Sequence, residues 1–172
     1  MNNPEFEISG GKISGELLSL YYMFPCVKSR VIQGSIKPAD VKILKDLINE
    51  RKDPSHELLA RCFPVAIESF KKHSGIYPLA PEPWPIEAVR NYWRQHKGKS
   101  KGCAVMYGEV ETIDNICIGV ICRNKKKSKK VIITVFNKYG FPLCIGDTVY
   151  FHSHAITEVE RRTAPLPSKK IS

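Results

Sequence analysis

The sequence lacks any apolar run long enough to cross a bilayer. Its longest apolar stretches, at 17–25 and 131–136, fall well short of the roughly 20 residues that a transmembrane helix needs. The first residues, MNNPEFE, also lack the basic start and apolar core of a secretory signal. We therefore expect a cytoplasmic protein that has no membrane partner.

The sequence also lacks a Cys-x-x-Cys pair, although it contains six cysteines. Their scattered spacing is not that of a disulfide scaffold, so we expect mostly reduced, buried thiols. The closest pair, Cys117 and Cys122, is separated by an odd number of positions, and on one strand these side chains would face opposite ways. We interpret them as small apolar residues of a sheet, in preference to metal ligands.

Motifs of common enzymes are missing as well. The chain has no nucleophile elbow, phosphate-binding glycine loop, dinucleotide fingerprint, HExxH motif or EF-hand. The few acidic residues of the C-terminal half form no pair suited to acid–base catalysis. We therefore predict that the protein is not an enzyme. Because the cofactor-binding motifs are among those missing, the sequence indicates no cofactor through them.

Positive charge is abundant, with 27 Lys and Arg against 17 Asp and Glu and a net charge of +10. Basic residues cluster at 94–101 and 123–130 and recur in the C-terminal tail. This distribution is typical of a protein attracted to an anionic partner. It is equally typical of a solvated hinge, a hairpin tip and a tail.

The N-terminal half has helical periodicity. An extended arm at 1–13 precedes a helical domain at 14–97, in which Ser14 can cap the first helix and Pro64 must kink or divide the third. The connector at 78–85, PLAPEPWP, should be stiff and extended. The predicted helices run from Ser14 to Pro25, from Pro38 to Glu50, from Asp53 to Gly75 and from Pro85 to Gly98.

The period changes from 3.6 to 2 after a basic hinge at 98–102. Five short strands within 103–160, followed by a basic tail at 161–172, predict a small OB-like β-barrel, because closure removes exposed strand edges. The fold class is therefore α+β, with a helical N-terminal half followed by a five-stranded barrel. The predicted strands cover 104–113, 116–122, 131–136, 148–152 and 156–159.

Three side chains of this half are candidate ligands for a soft metal. Cys103 lies at the entry to the first strand, and His152 and His154 lie at the end of the fourth. Residues two apart on a strand face the same way, so the two histidines would converge if the strand continues to His154. The alternative is that one histidine is packed and the other is exposed.

Two segments carry a family resemblance. Segment 102–114, GCAVMYGEVETID, has a cysteine, a short apolar run, a glycine and a strand ending in Ile-Asp. Segment 145–156, IGDTVYFHSHAI, has Gly-Asp, apolar residues, a histidine and then a small residue before an apolar one. In content, order and separation these segments resemble the opening and closing strands of HypC-type hydrogenase maturation chaperones, over about 102–160.

The resemblance implies a function. Cys103 and His152 would match the residues with which that family holds iron, carrying cyanide and carbonyl ligands, on its way to the nickel–iron hydrogenase large subunit. The chain would then be an accessory or maturation factor that docks on a protein partner and binds iron transiently. In that family the cysteine becomes the first residue of the chain, whereas Cys103 is internal.

Two other functions stay open. A nucleic-acid or ribonucleoprotein-binding module would stack bases on Tyr107, Tyr139, Phe141, Tyr150 and Phe151, and its binding would weaken steeply with salt. A structural subunit of a larger assembly is the third interpretation. The basic residues that would contact phosphates are Lys97, Lys99, Lys101, Arg123, Lys125, Lys126, Lys127, Lys129 and Lys130.

Overall fold

The computed structural model describes residues 13–76, 83–97, 103–123 and 130–162. Within these ranges the chain forms six α-helices, one 3-10 turn and one five-stranded antiparallel sheet, which confirms the predicted α+β class. The helices are α1 (Gly15–Met23), α2 (Val27–Ile32), α3 (Pro38–Glu50), α4 (His56–Cys62), α5 (Pro64–His73) and α6 (Ile86–Arg94), with the 3-10 turn Phe24–Cys26 between α1 and α2. The strands are β1 (Met106–Ile113), β2 (Ile118–Arg123), β3 (Lys130–Val135), β4 (Thr148–His152) and β5 (Ala155–Glu160).

Serine caps start two of the helices. The Ser14 hydroxyl accepts the Leu17 N–H at 2.9 Å, as the sequence predicts. The expected start at Asp53 is wrong, because Ser55 caps α4 by accepting the Leu58 N–H at 3.1 Å. Asp53 instead accepts a hydrogen bond of 2.6 Å from the Ser14 hydroxyl, so one side chain joins the starts of two helices.

Proline sets the other helix boundaries. Pro64 divides the third predicted helix: α4 ends at Cys62, Phe63 leaves helical geometry with φ −130° and ψ 54°, and α5 begins at Pro64. A proline is tolerated at a first helical position because that N–H has no partner within the helix. Helix α1 ends at Met23, two residues before the predicted end at Pro25, and Pro25 lies inside the 3-10 turn that leads into α2.

The sheet has the strand order β3-β2-β1-β4-β5. It is not closed, so the predicted barrel is not confirmed. One isolated parallel bridge joins the ends of the two edge strands, where Phe136 donates to the His154 carbonyl at 2.7 Å and accepts from the Ile156 N–H at 3.0 Å. The edges of β3 and β5 therefore approach each other at a single point.

Helix α1 lies at the centre of the molecule. All nine of its residues are buried, and it contacts α3, α6 and β5. Its run of Leu, Tyr and Met makes the helix apolar on most sides. Such a helix is stable only when other elements cover most of its surface. The predicted helical domain and the sheet consequently share one hydrophobic core.

A buried carboxylate joins α6 and α1 to β5. Glu158 in β5 is 1% exposed, and its carboxylate accepts hydrogen bonds from Arg90 (2.6 Å), Arg94 (3.0 Å) and the Tyr22 hydroxyl (2.6 Å). Burial, and then the Glu158 charge, raise the pKa of Tyr22, which keeps its hydroxyl protonated as a donor. The Arg94 guanidinium also lies 4.1 Å from the ring centroid of Tyr150 in β4. These contacts join α6 to β4 and β5.

Several predicted segments lie outside the described residues. They are the basic hinge at 98–102 and most of the arm, connector, hairpin tip and tail, at 1–12, 77–82, 124–129 and 163–172. Helix α6 ends at Arg94, with Gln95 as its C-cap, and is therefore shorter than the predicted helix, which ended at Gly98. None of the helices in the described ranges combines the length and the apolar character that crossing a membrane would require.

Candidate metal centre

Three potential metal ligands meet where the helices contact the sheet. The Sγ atoms of Cys26 and Cys103 and a ring nitrogen of His152 all lie within 4.8 Å of one another. The Cys26 Sγ is 3.6 Å from His152 Nε2. The structure thus brings together two of the predicted ligands, Cys103 and His152, and adds Cys26 from the helical half.

Each ligand stands at the end of an element. Cys26 closes the 3-10 turn after α1, and its carbonyl accepts a hydrogen bond of 2.8 Å from the Ser29 hydroxyl. Cys103 lies shortly before β1, where the Val105 N–H donates to the His96 carbonyl at 3.0 Å. His152 is the last residue of β4. The three backbones are therefore positioned by three different parts of the fold.

A backbone carbonyl orients the ring of His152. The Nδ1 atom lies 2.7 Å from the Tyr22 carbonyl oxygen. A carbonyl can only accept, so Nδ1 carries the proton of the neutral ring and Nε2 keeps the lone pair. The lone pair of Nε2 then faces Cys26, which is the arrangement that metal-binding histidines commonly show.

The protonation states follow from burial. Burial, and then the neighbouring Cys103 thiol, raise the pKa of Cys26 to about 12. Burial also lowers the pKa of His152, although the backbone groups of Tyr22 and Cys103 favour the protonated ring and oppose that shift. In the metal-free protein the thiol of Cys26 is thus protonated and the imidazole is neutral. A bound ion would have to displace the thiol proton, so binding would release protons.

The donor set fits a soft or borderline transition metal. Two thiols and an imidazole are ligands that Zn²⁺, iron and Cu⁺ accept, whereas Mg²⁺ and Ca²⁺ require oxygen. Metal–sulfur bonds of about 2.3 Å and metal–nitrogen bonds of about 2.0 Å place tetrahedral donors about 3.5 Å apart. The 3.6 Å between Cys26 and His152 is already close to that spacing.

His154 does not join this group, so its assignment as a candidate ligand is wrong. His152 is packed and His154 is exposed, which is the alternative that the sequence left open. The strand ends at His152, and Ser153 and His154 form a tight turn with φ values of 49° and 63°. The exposed His154 ring instead lies 3.1 Å, measured from Nδ1, from the Thr134 carbonyl. Because β4 ends at His152, His154 is outside the strand, and the rule that strand residues two apart share a face does not apply to it.

The other cysteines lie elsewhere. All six are free thiols, but Cys62 and Cys122 alone are buried and Cys144 is exposed, so the expectation of mostly buried thiols is wrong. Cys117 is half-buried before β2. Among the described residues, neither Cys117 nor Cys122 belongs to a group that could hold an ion.

The structure describes only some of the basic residues on which the nucleic-acid interpretation depends. Of its basic residues, Lys97 and Lys130 are described and exposed, and Arg123 is the last residue of β2. The remaining six, Lys99, Lys101, Lys125, Lys126, Lys127 and Lys129, lie outside the described residues.

Its aromatic residues are mostly unavailable for stacking on bases. Phe141 and Phe151 are 5% and 3% exposed, and Tyr139 stacks on Tyr21 of α1 with 4.9 Å between ring centroids. Tyr150 lies against Arg94. Tyr107, at 55%, is well exposed. The expectation of a five-residue stacking surface is therefore wrong, because the helical half covers most of these rings.

Comparisons with protein families, with curated proteins and with solved structures find no match to this chain. The candidate site therefore rests on its own geometry. Cys26 is the candidate ligand that the sequence did not indicate, since no local motif marks it and it is 126 positions from His152.

Acidification should destabilise the metal-free protein through two histidines. Burial lowers the pKa of both His96 and His152, and the two rings are 6.4 Å apart. The unfolded chain, with histidine pKa values near 6.5, then binds more protons, so stability is present above about pH 6.5 and is lost as the pH falls below it. Each proton contributes at most about 1.4 kcal/mol per pH unit.

Urea denaturation with a chelator at pH 7.5 and 5.5 measures this effect. We expect His96→Asn to lose less stability on acidification than the wild type. The exposed His73 provides the control, and His73→Asn should retain the wild-type pH dependence. An unchanged pH dependence in His96→Asn would show that His96 titrates alike in the folded and unfolded chain.

Proposed function

We propose that the protein is an accessory or maturation factor of a metalloenzyme of the nickel–iron hydrogenase kind. It docks on a protein partner through its C-terminal sheet and carries a metal at Cys103 and His152. It acts as a carrier, not as an enzyme. The observation that supports this function is the approach of the Cys103 thiol to within 4.8 Å of the His152 ring.

The chemistry of the pair supports a carrier role. A thiolate and a neutral imidazole suit a soft, low-valent iron fragment. Cys103 is half-buried, so the pair is not sealed inside the core. A cargo ion could enter and leave from that side. The resemblance of segments 102–114 and 145–156 to HypC-type chaperones points to the same pair of residues.

The surface of the sheet supports docking on a protein. Several large apolar side chains of the strands and their turns are exposed, and where such side chains form a contiguous patch they mark a surface that binds partners. Ile132 in β3 is 66% exposed and Ile145 before β4 is 70% exposed. The others are Met106, Tyr107, Ile113, Ile116, Val131 and Phe136.

Affinity purification under anaerobic conditions tests this proposal. The tagged wild type should recover metalloenzyme or maturation proteins from its native host, and Cys103→Ala should recover at most about a tenth as much. Cys144→Ala is the matched control, because Cys144 is an exposed thiol away from the site and should not change the recovery. Mass spectrometry identifies the recovered proteins.

A different outcome would contradict the proposal. Recovery of RNA or ribosomal proteins that is insensitive to Cys103→Ala and lost at high salt would favour the nucleic-acid function, since phosphate contacts weaken as ionic strength rises. Ultraviolet absorbance ratios of the eluates distinguish nucleic acid from protein.

A further inference from the structure

We propose that Cys26 is a third ligand, so that the protein holds a thiophilic transition-metal ion in a Cys26–Cys103–His152 site that ties the helical half to the sheet. The inference rests on the proposed function in so far as it uses the same pair, Cys103 and His152. It adds a ligand that neither the sequence pattern nor the family resemblance includes.

The spacing of the donor atoms is the first argument. All three lie within 4.8 Å of one another, and Cys26 Sγ and His152 Nε2 are 3.6 Å apart. A tetrahedral ion needs its donors about 3.5 Å apart, so closing the site takes movements of about 1 Å or less. Rotation about the side-chain bonds of two cysteines is sufficient for that.

The support behind His152 is the second argument. Its Nδ1 donates to the Tyr22 carbonyl, and the Tyr22 hydroxyl donates to the buried Glu158. Metal-binding histidines usually donate their second nitrogen to a carbonyl or carboxylate, which fixes the ring and its tautomer. The same residue of α1 thus orients the histidine ligand and anchors α1 to β5.

The burial of the ligands indicates an open fourth position. His152 is buried, whereas Cys26 and Cys103 are half-buried, so part of each cysteine residue is exposed to solvent. Three protein ligands and one exchangeable position are typical of sites where the metal takes a further ligand. A carrier needs such a position for exogenous ligands or for a donor of the receiving protein.

The origin of the ligands gives the site a second effect. Cys26 follows α1, whereas Cys103 and His152 belong to the C-terminal half. An ion bound by all three cross-links the two halves and binds the folded chain only, so it stabilises this contact. Loss of the ion to a partner would then loosen the contact between α1 and the sheet.

Cobalt(II) titration of the purified full chain under anaerobic, reducing conditions tests the inference. Thiolate-to-cobalt charge-transfer absorption grows with the number of thiolate ligands. We expect the wild type to bind one equivalent with the intensity of two thiolates. Cys26→Ser should bind at least about 100-fold more weakly and show half that intensity, as should Cys103→Ser. Cys117→Ser, a half-buried thiol outside the site, should remain within about 2-fold of the wild type.

The outcomes separate this inference from the proposed function. If Cys26→Ser binds cobalt as tightly and absorbs as strongly as the wild type, while Cys103→Ser does not, Cys26 is not a ligand and the Cys103–His152 pair stands. If the wild type binds no cobalt, both fail as metal sites. The wild-type intensity is informative even where a variant folds poorly, since the absorption of a single thiolate would overturn the inference.

Discussion

Replacing Glu158 by glutamine should lower the free energy of unfolding by about 3 kcal/mol. The side chain is 2% exposed, and its charge is shared by Arg90, Arg94 and the Tyr22 hydroxyl. Removing one partner of a buried ionic group costs about 3–5 kcal/mol because the remaining charges lose their compensation. We expect the lower end, since Arg94 is 26% exposed and water can partly solvate it. Urea denaturation measures the change.

The matched control uses the same arginine. Glu87 pairs with Arg90 at 2.7 Å, but its side chain is 69% exposed. Glu87→Gln should therefore cost less than about 1 kcal/mol, as exposed ion pairs do. Equal effects of Glu87→Gln and Glu158→Gln would show that burial of the cluster does not determine its contribution.

Replacing His152 by asparagine should weaken cobalt binding at least about 100-fold, whereas His154→Asn should leave it within about 2-fold. His152 lies with the two thiols, and His154 is exposed in the turn that follows β4. Loss of a direct ligand should exceed the 10- to 100-fold effects of groups that only support ligands. Cobalt titration measures both affinities.

Circular dichroism provides the control for folding of the two variants. A stronger effect of His154→Asn than of His152→Asn would mean that the histidine in the turn binds the ion. The site would then be formed by the C-terminal half in a different arrangement. Equal and small effects would remove both histidines from the metal site.

Local chemistry explains why much of the fold was predictable. Ser14, Pro38 and Pro64 act within one turn of the chain, and each defines the helix boundary that capping and ring geometry require. Strand β4 has the predicted limits, because Gly146 with φ 90° turns the chain immediately before it. Barrel closure was not predictable in this way, since it depends on contacts between β3 and β5, which are distant in sequence.

Of the candidate metal centre, only the residues next to strands were predictable. Cys103 and His152 stand beside recognisable strand patterns. Cys26 follows a Phe-Pro pair that is typical of a helix end. In the structure this pair lies in a 3-10 turn that continues into α2. The prediction for His154 was wrong for a local reason, because a two-residue turn follows His152 where the strand was expected to continue. The predicted stacking surface was wrong because the hydrophobic periodicity of α1 and that of the strands do not show that α1 packs on the sheet.

X-ray absorption spectroscopy of the zinc-loaded protein measures the first coordination shell of the ion. For a Cys26–Cys103–His152 site we expect two sulfur neighbours at about 2.3 Å and at least one imidazole nitrogen at about 2.0 Å. Cys26→Ser should show one sulfur neighbour fewer. A first shell of nitrogen and oxygen alone, or two sulfur neighbours that persist in Cys26→Ser, would contradict the Cys26–Cys103–His152 site.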